Sequence, residues 1–201
     1  VYNLPVPLFF CPSDTSPPPN TTYAGLNFAR ANYVANNGIG PAIEYRRGPG
    51  HTTPAYLERP GGMFYMNSWL GAERITDGLS NTAFVSELRI PLNAPDIRGS
   101  MHYPEGQLYQ HNYTPNSMVA DWLRSGSCNN KADTPCMAPS GYTGAGNRRL
   151  IMTARSYHPG GVNLALGDGS VRFVAETLNI DVWKALCTPK SAVGEVVGGQ
   201  F

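Results

Sequence analysis

Charge is scarce in this chain. Only 14% of its 201 residues are Asp, Glu, Lys or Arg, and they leave a net charge of +1. No basic stripe runs through it, so nucleic acid is not expected as a partner. No acidic or basic tail is present either. No apolar run reaches the ~18 residues a membrane span needs. The four cysteines, Cys11, Cys128, Cys136 and Cys187, form no CxxC pair, which argues against a zinc ribbon or a thioredoxin-type site. GxSxG, HxH and HExxH are absent, and "GYTGAGNRR" (141–149) has no Walker lysine behind it. The chain starts at Val1 with neither an initiator Met nor a signal peptide, and an upstream segment is expected to have been removed.

Glycine and proline, in contrast, are plentiful, at 22 and 18 residues. Such a chain reads as short strands and turns with few long helices. At 41% hydrophobic it still has enough for one core, so a single domain spanning 1–201 is expected. Strands are predicted over "VPLFFC" (6–11), within "RANYVANNG" (30–38), and over "MFYMNSWL" (63–70) and "TAFVSELRI" (82–90). The stretch 71–81 reads as a short helix or turn, and 194–201 as a terminal strand or tail. Helices are predicted at "SMVADWLRSG" (117–126), capped by Ser117, and at "NIDVWKALC" (179–187), capped by Asn179. Two loop-rich surface excursions are expected, at about 39–62 and 91–150.

"HPGGVNLALGDGSVRFV" (158–174) is the most patterned stretch. Asp168-Gly169 is a strong two-residue hairpin signal, because a type I′ turn needs positive φ at both central positions. On that turn Leu166 faces Val171, Ala165 faces Arg172 and Leu164 faces Phe173. Leu164, Leu166, Val171 and Phe173 then form the buried face. His158 and Asp168 stand ten residues apart with mostly strand between, so their Cα atoms should lie about 25–30 Å apart. They are not expected to share a site. Asp168 and Gly169 are read as turn residues and His158 as the start of the strand.

Other candidate chemistry is thinner. His51, His102 and His111 scatter over loops without metal spacing. Glu73, Glu87 and Glu176 offer carboxylates, but no spacing selects a pair for glycoside chemistry. "DGLSN" around Asp77 resembles an oxygen-ligand loop, which leaves calcium as a weak metal reading; otherwise no cofactor is expected. Trp69, Tyr109, Tyr113 and Trp122 would suit a sugar-binding surface or a subunit interface if exposed; partial burial under loops is the favoured reading. Cys128 and Cys136 flank a turn-rich loop and are read as a local disulfide. Cys11 and Cys187 are candidates for a second bridge, and an upstream cysteine is an equal candidate partner for Cys11. Asn20 and Asn112 head glycosylation sequons. The even cysteine count suits an oxidising place outside the cytoplasm.

Six ordered stretches carry a resemblance: "PVPLFFCPSD" (5–14), "ANYVANNG" (31–38), "GGMFYMNS" (61–68), "RITDGLSNTAFVSE" (74–87), the stretch from His158 to Val174, and "GEVVG" (194–198). Together the chain resembles a bacterial family of prepilin-like proteins with a C-terminal H-x9-DG motif, in which His158 and Asp168-Gly169 take the motif positions. The resemblance implies an α+β, type IV pilin-like head, with an antiparallel sheet packed on a long N-terminal helix that this chain lacks. It implies export, leader cleavage, inner-membrane anchoring through that helix, and assembly into an extracellular filament or a secretion pseudopilus. The partners would be further copies, other pilins or cell-surface components. It assigns no enzyme activity and no catalytic residues. A structural subunit is therefore the leading expectation, and a cell-surface module that binds glycan or protein is the alternative.

Overall fold

Short strands joined by turns make up most of the fold, as the glycine and proline content requires. The computed structural model describes residues 2–14, 19–40, 42–43, 61–65, 68, 70–92, 95–138 and 149–190. Its strands are β1 (Asn20–Tyr23), β2 (Leu26–Ala29), β3 (Tyr33–Asn36), β4 (Ala42–Ile43), β5 (Ala83–Glu87), β6 (Leu108–Tyr109), β7 (Asp121–Trp122), β8 (Cys136–Met137), β9 (Arg149–Leu150), β10 (Gly161–Leu166) and β11 (Val171–Ala175). One α-helix, α1 (Ile180–Ala185), follows. The architecture is α+β and rich in sheet, as expected. A five-stranded sheet runs in the order β11-β10-β5-β3-β6, antiparallel except for the parallel β3–β6 pair. Two-stranded pairs β1–β2, β4–β9 and β7–β8 surround it. Trp69 and the stretches 44–60, which includes His51, 141–148 and 194–201 lie outside the described residues.

One face of the main sheet is the core. Val34, Ala83, Val162, Leu164, Leu166 and Val174 pack there with Trp183 and Leu186 from the end of the chain. Asn179 caps α1 as predicted, its side chain accepting a bond from the Asp181 amide. Trp183 is fully buried. His111 is buried against it, with ring centroids 3.9 Å apart, and its Nδ1 and Nε2 lie 2.6 Å from the Trp183 carbonyl and 3.0 Å from the Tyr109 hydroxyl. His111 is thus a core residue rather than a loop histidine. Burial pushes its pKa down to about 3.

The hairpin at 166–170 forms in a different register from the one predicted. Ala165 pairs with Val171, Leu164 with Arg172 and Asn163 with Phe173. The Gly169 amide donates to the Leu166 carbonyl and the Leu166 amide to the Ser170 carbonyl, with Gly169 at φ 84. This is a three-residue loop, a turn closed by a left-handed glycine bulge, not a two-residue type I′ turn. The extra residue shifts the pairing by one and turns β11 over. Val171 and Phe173 are consequently 64% and 52% exposed, while Val174 joins the core. The geometry expected at Asp168-Gly169 occurs at Ala24-Gly25 instead, where both φ values are positive, 52 and 76.

Three further expectations are overturned. The N-terminal strand is a 3-10 turn over Pro7–Phe9, opened by the proline and leaving Leu8 81% exposed. No strand forms in the described part of 63–70; Phe64 instead donates its amide to the Asn36 carbonyl and accepts from the Asn37 side chain. No helix forms at 117–126: Asp121–Trp122 are strand β7 and a turn follows at 125–126. Trp122 exchanges backbone bonds with Ile151, and Asp121 is drawn inward.

What draws Asp121 inward also organises the block predicted as a surface excursion. Arg98 forks onto Asp96 with Nε and Nη2 at 3.0 and 2.8 Å, and its Nη1 donates to Asp121 Oδ2 at 3.0 Å. Arg155 Nη1 donates to the same oxygen at 2.7 Å. All four side chains are at most 2% exposed. Burial works against the Arg98 charge, but Asp96 and Asp121 outweigh it and hold its pKa above the usual value. The remaining donors go to backbone carbonyls of Thr134, Asn129, Ser117 and Val119. Far from being an excursion, the described part of 91–150 sends Ile97, Tyr109, Leu123 and Leu150 into the interior at 0% exposure.

Two outcomes follow. Asp121→Ala strands two buried guanidinium groups and is expected to lower the unfolding free energy by about 3–5 kcal/mol, read from the urea midpoint at unchanged slope. His111 has a folded pKa of about 3 against 6.5 unfolded, so its contribution is complete above pH 6.5 and is lost as pH falls towards about 3. Wild type should therefore lose about 1.4 kcal/mol per pH unit in that window relative to His111→Gln, in parallel pH series of urea melts.

Candidate functional site

At one end of the second sheet face, three groups that can bind a metal or act as a nucleophile come together. Glu87 ends β5, Cys11 follows the N-terminal 3-10 turn, and His158 lies just ahead of β10. His158 Nε2 stands 3.4 Å from Cys11 Sγ and 3.2 Å from Glu87 Oε1. The three possible ligand atoms all lie within 4.8 Å of one another. Cys11 and Glu87 are buried, and the His158 side chain is 26% exposed.

Local bonds hold each member. The Glu87 carboxylate accepts the Asn163 amide at 2.8 Å and the Asn163 side chain at 3.2 Å. The Cys11 amide donates to Asn32 Oδ1, and Asn32 Nδ2 donates in turn to Asp14 and to the Leu88 carbonyl. His158 donates its amide to Ser156 Oγ, and its Nδ1 lies 3.4 Å from Ser13 Oγ. Burial raises the pKa of Asp14, against the bonds from Ile90 and Asn32 that lower it. Burial, then Cys11 and Glu87, raises that of Tyr33, which is paired across the sheet with Glu87.

The geometry decides between two chemistries. In a relay triad the histidine uses one nitrogen for the nucleophile and the other for the carboxylate. Here Cys11 and Glu87 converge on the same nitrogen, and Nδ1 faces a serine. No carboxylate orients the ring for proton transfer from the thiol. Sulfur, nitrogen and oxygen instead offer one donor atom each, all within 4.8 Å of one another. The adjoining crevice, lined by Cys11, Asp14, Asn32, Glu87, Leu88, Arg89, Ser156 and Tyr157, has no room for a sphere the size of water.

The other candidates sit elsewhere. Asp168 is a turn residue as predicted, with Oδ1 accepting the Ser170 amide and hydroxyl; those bonds lower its pKa. Its contacts are separate from those of His158. Cys128 and Cys136 form the predicted disulfide, with Cα atoms 5.9 Å apart. Cys11 and Cys187 are both buried and not bonded to each other, so the second-bridge option is not taken. Asn112 exchanges two bonds with Gly40, its Nδ2 donating to the carbonyl and its Oδ1 accepting the amide. Asn20 opens β1. Asp77 lies between two 3-10 turns, and its carbonyl accepts from Asn81. Glu176 accepts from Asn116, and Glu73 lies 4.0 Å from Arg74 at the surface. Tyr109 is fully buried, and Tyr113 and Trp122 are partly so.

The Cys11–Glu87–His158 cluster escaped the sequence reading, which weighed Glu87 for glycoside chemistry and His158 for a strand start. The signal was there: each member lies in a stretch that carries the family resemblance. The family model described as "Protein of unknown function (DUF1559)" matches residues 2–181. No curated protein and no solved structure matches the chain.

Glu87→Ala leaves the Asn163 amide and the His158 ring without their acceptor. It should lower the unfolding free energy by about 1–3 kcal/mol. Ser13→Ala loses one long exposed contact and should stay within about 0.5 kcal/mol, in the same urea melts.

Proposed function

The chain belongs to the DUF1559 family, and we propose that its role is that of a non-catalytic structural subunit: the head of a prepilin-like protein that assembles outside the cell. The observation that carries this reading is the second face of the main sheet. Val171, Ala165, Val85 and Ala35 form one apolar row across four neighbouring strands. None of the four is fully buried, and none belongs to the core cluster. Phe173 stands in the next row, 52% exposed. Covering Val171 and Phe173 would gain on the order of 2–3 kcal/mol. A long apolar helix of the kind that precedes pilin-type heads is the cover this face fits. The H-x9-DG spacing from His158 to Asp168-Gly169 belongs to the same reading, as does the disulfide, which suits an oxidising compartment. No helix among the described residues is long and apolar enough to cross a membrane.

Val171→Lys with Phe173→Lys tests it, introduced into the full-length protein in its native host. Both side chains are exposed in the isolated head, so its melting midpoint should change little, while surface assembly should be lost in immunogold imaging of whole cells. Normal assembly with both lysines in place, or wild-type protein confined to the cytoplasm, overturns the proposal.

A further inference from the structure

We propose that Cys11, Glu87 and His158 form a binding site for a single zinc-class divalent cation that pins the N-terminal segment to the sheet. The donor set points to that class. A thiolate, an imidazole and a carboxylate suit a borderline-soft ion such as Zn2+, whereas calcium and magnesium take oxygen ligands.

The distances agree. Ligands at about 2.3 Å for sulfur and about 2.0–2.2 Å for nitrogen and oxygen, set tetrahedrally, lie about 3.3–3.6 Å from one another. The observed separations from Nε2 are 3.4 Å to Cys11 Sγ and 3.2 Å to Glu87 Oε1.

Proton counting supports the same assignment. Nε2 carries either one hydrogen or one lone pair. A single hydrogen cannot point at sulfur and oxygen at once with good geometry. A cation placed among the three would take the Nε2 lone pair, the Cys11 sulfur and the Glu87 oxygen together. Binding replaces the Cys11 S–H bond with a sulfur–metal bond and releases that proton to solvent.

The surroundings hold the ligands in place. Asn163 fixes Glu87 with two bonds, Asn32 fixes the Cys11 backbone, and Ser13 and Ser156 fix His158. Such outer contacts orient ligands and tune affinity. The partly exposed His158 provides the way in.

The test uses the chain after chelation, titrated with Zn2+ by calorimetry and with Co2+ by absorption. One Zn2+ per chain, a thiolate-to-cobalt charge-transfer band and a raised melting midpoint are expected. Cys11→Ser should abolish the band. His158→Gln, whose site is open enough to keep the fold by circular dichroism, should weaken Zn2+ binding by about 100-fold or more. Asn163→Ala should keep the band and weaken binding about 10- to 100-fold. No thiolate–cobalt band in the wild type, or Zn2+ affinity unchanged in His158→Gln, overturns the assignment.

Discussion

Two aspartates and two arginines, Asp96, Arg98, Asp121 and Arg155, meet out of contact with water, and the middle of the chain takes its course from them. Isolated charges in such a place would each cost several kcal/mol. Here the two signs cancel, and the guanidinium donors left over reach backbone carbonyls of 117–134. The irregular segments that pass the network would otherwise bury unsatisfied carbonyls. Side-chain bonds take the place of ladder bonds, so a chain with two-residue strands can still close a core. Arg30 extends the same device, donating to the carbonyls of Pro91 and Asp96.

That constraint sets the two sides of the main sheet apart. The block organised by the network and the C-terminal helix cover one face and bury it. The other face receives the Cys11 segment at one end and is otherwise only partly covered. The one-residue loop bulge at Gly169 decides which apolar side chains go where. In the two-residue register Val171 and Phe173 would strengthen the core; in the register that forms they stand on the open face. A turn glycine therefore controls how much apolar surface the protein presents.

What the sequence revealed was local. Asn179 as a cap, the 128–136 disulfide, β5 and the existence of the final hairpin each depend on residues within about ten positions. The hairpin's register did not show, because Asp-Gly suits a two-residue turn and a glycine bulge alike, and the choice rests on packing. The helix expected at 117–126 had fitting propensities, but Asp121 is worth more to two buried arginines than to a solvent-facing helix. The cluster of Cys11, Glu87 and His158 spans separations of 71 to 147 residues, and no spacing rule reaches across them. His111 shows the same limit: surrounded by turn residues, it is held in the core by Trp183, 72 positions away.

The cluster and the apolar row share one face, and their chemistry is linked. Phe173 and Asn163 form one cross-strand pair, Glu87 and Tyr33 another, and Glu87 bonds to Asn163, which puts a mixed row of Phe173, Asn163, Glu87 and Tyr33 directly beside the row of Val171, Ala165, Val85 and Ala35. Any apolar cover laid on the second row must lie against the first. The Glu87 carboxylate at that boundary is already buried, and its charge lies beside the edge of such a cover. A divalent cation held by the Cys11 thiolate, the Glu87 carboxylate and a neutral His158 brings the local charge to zero. Site and face would then act together: the proposed ion that fixes the N-terminal segment would also remove a buried charge from beside the sheet surface to be covered.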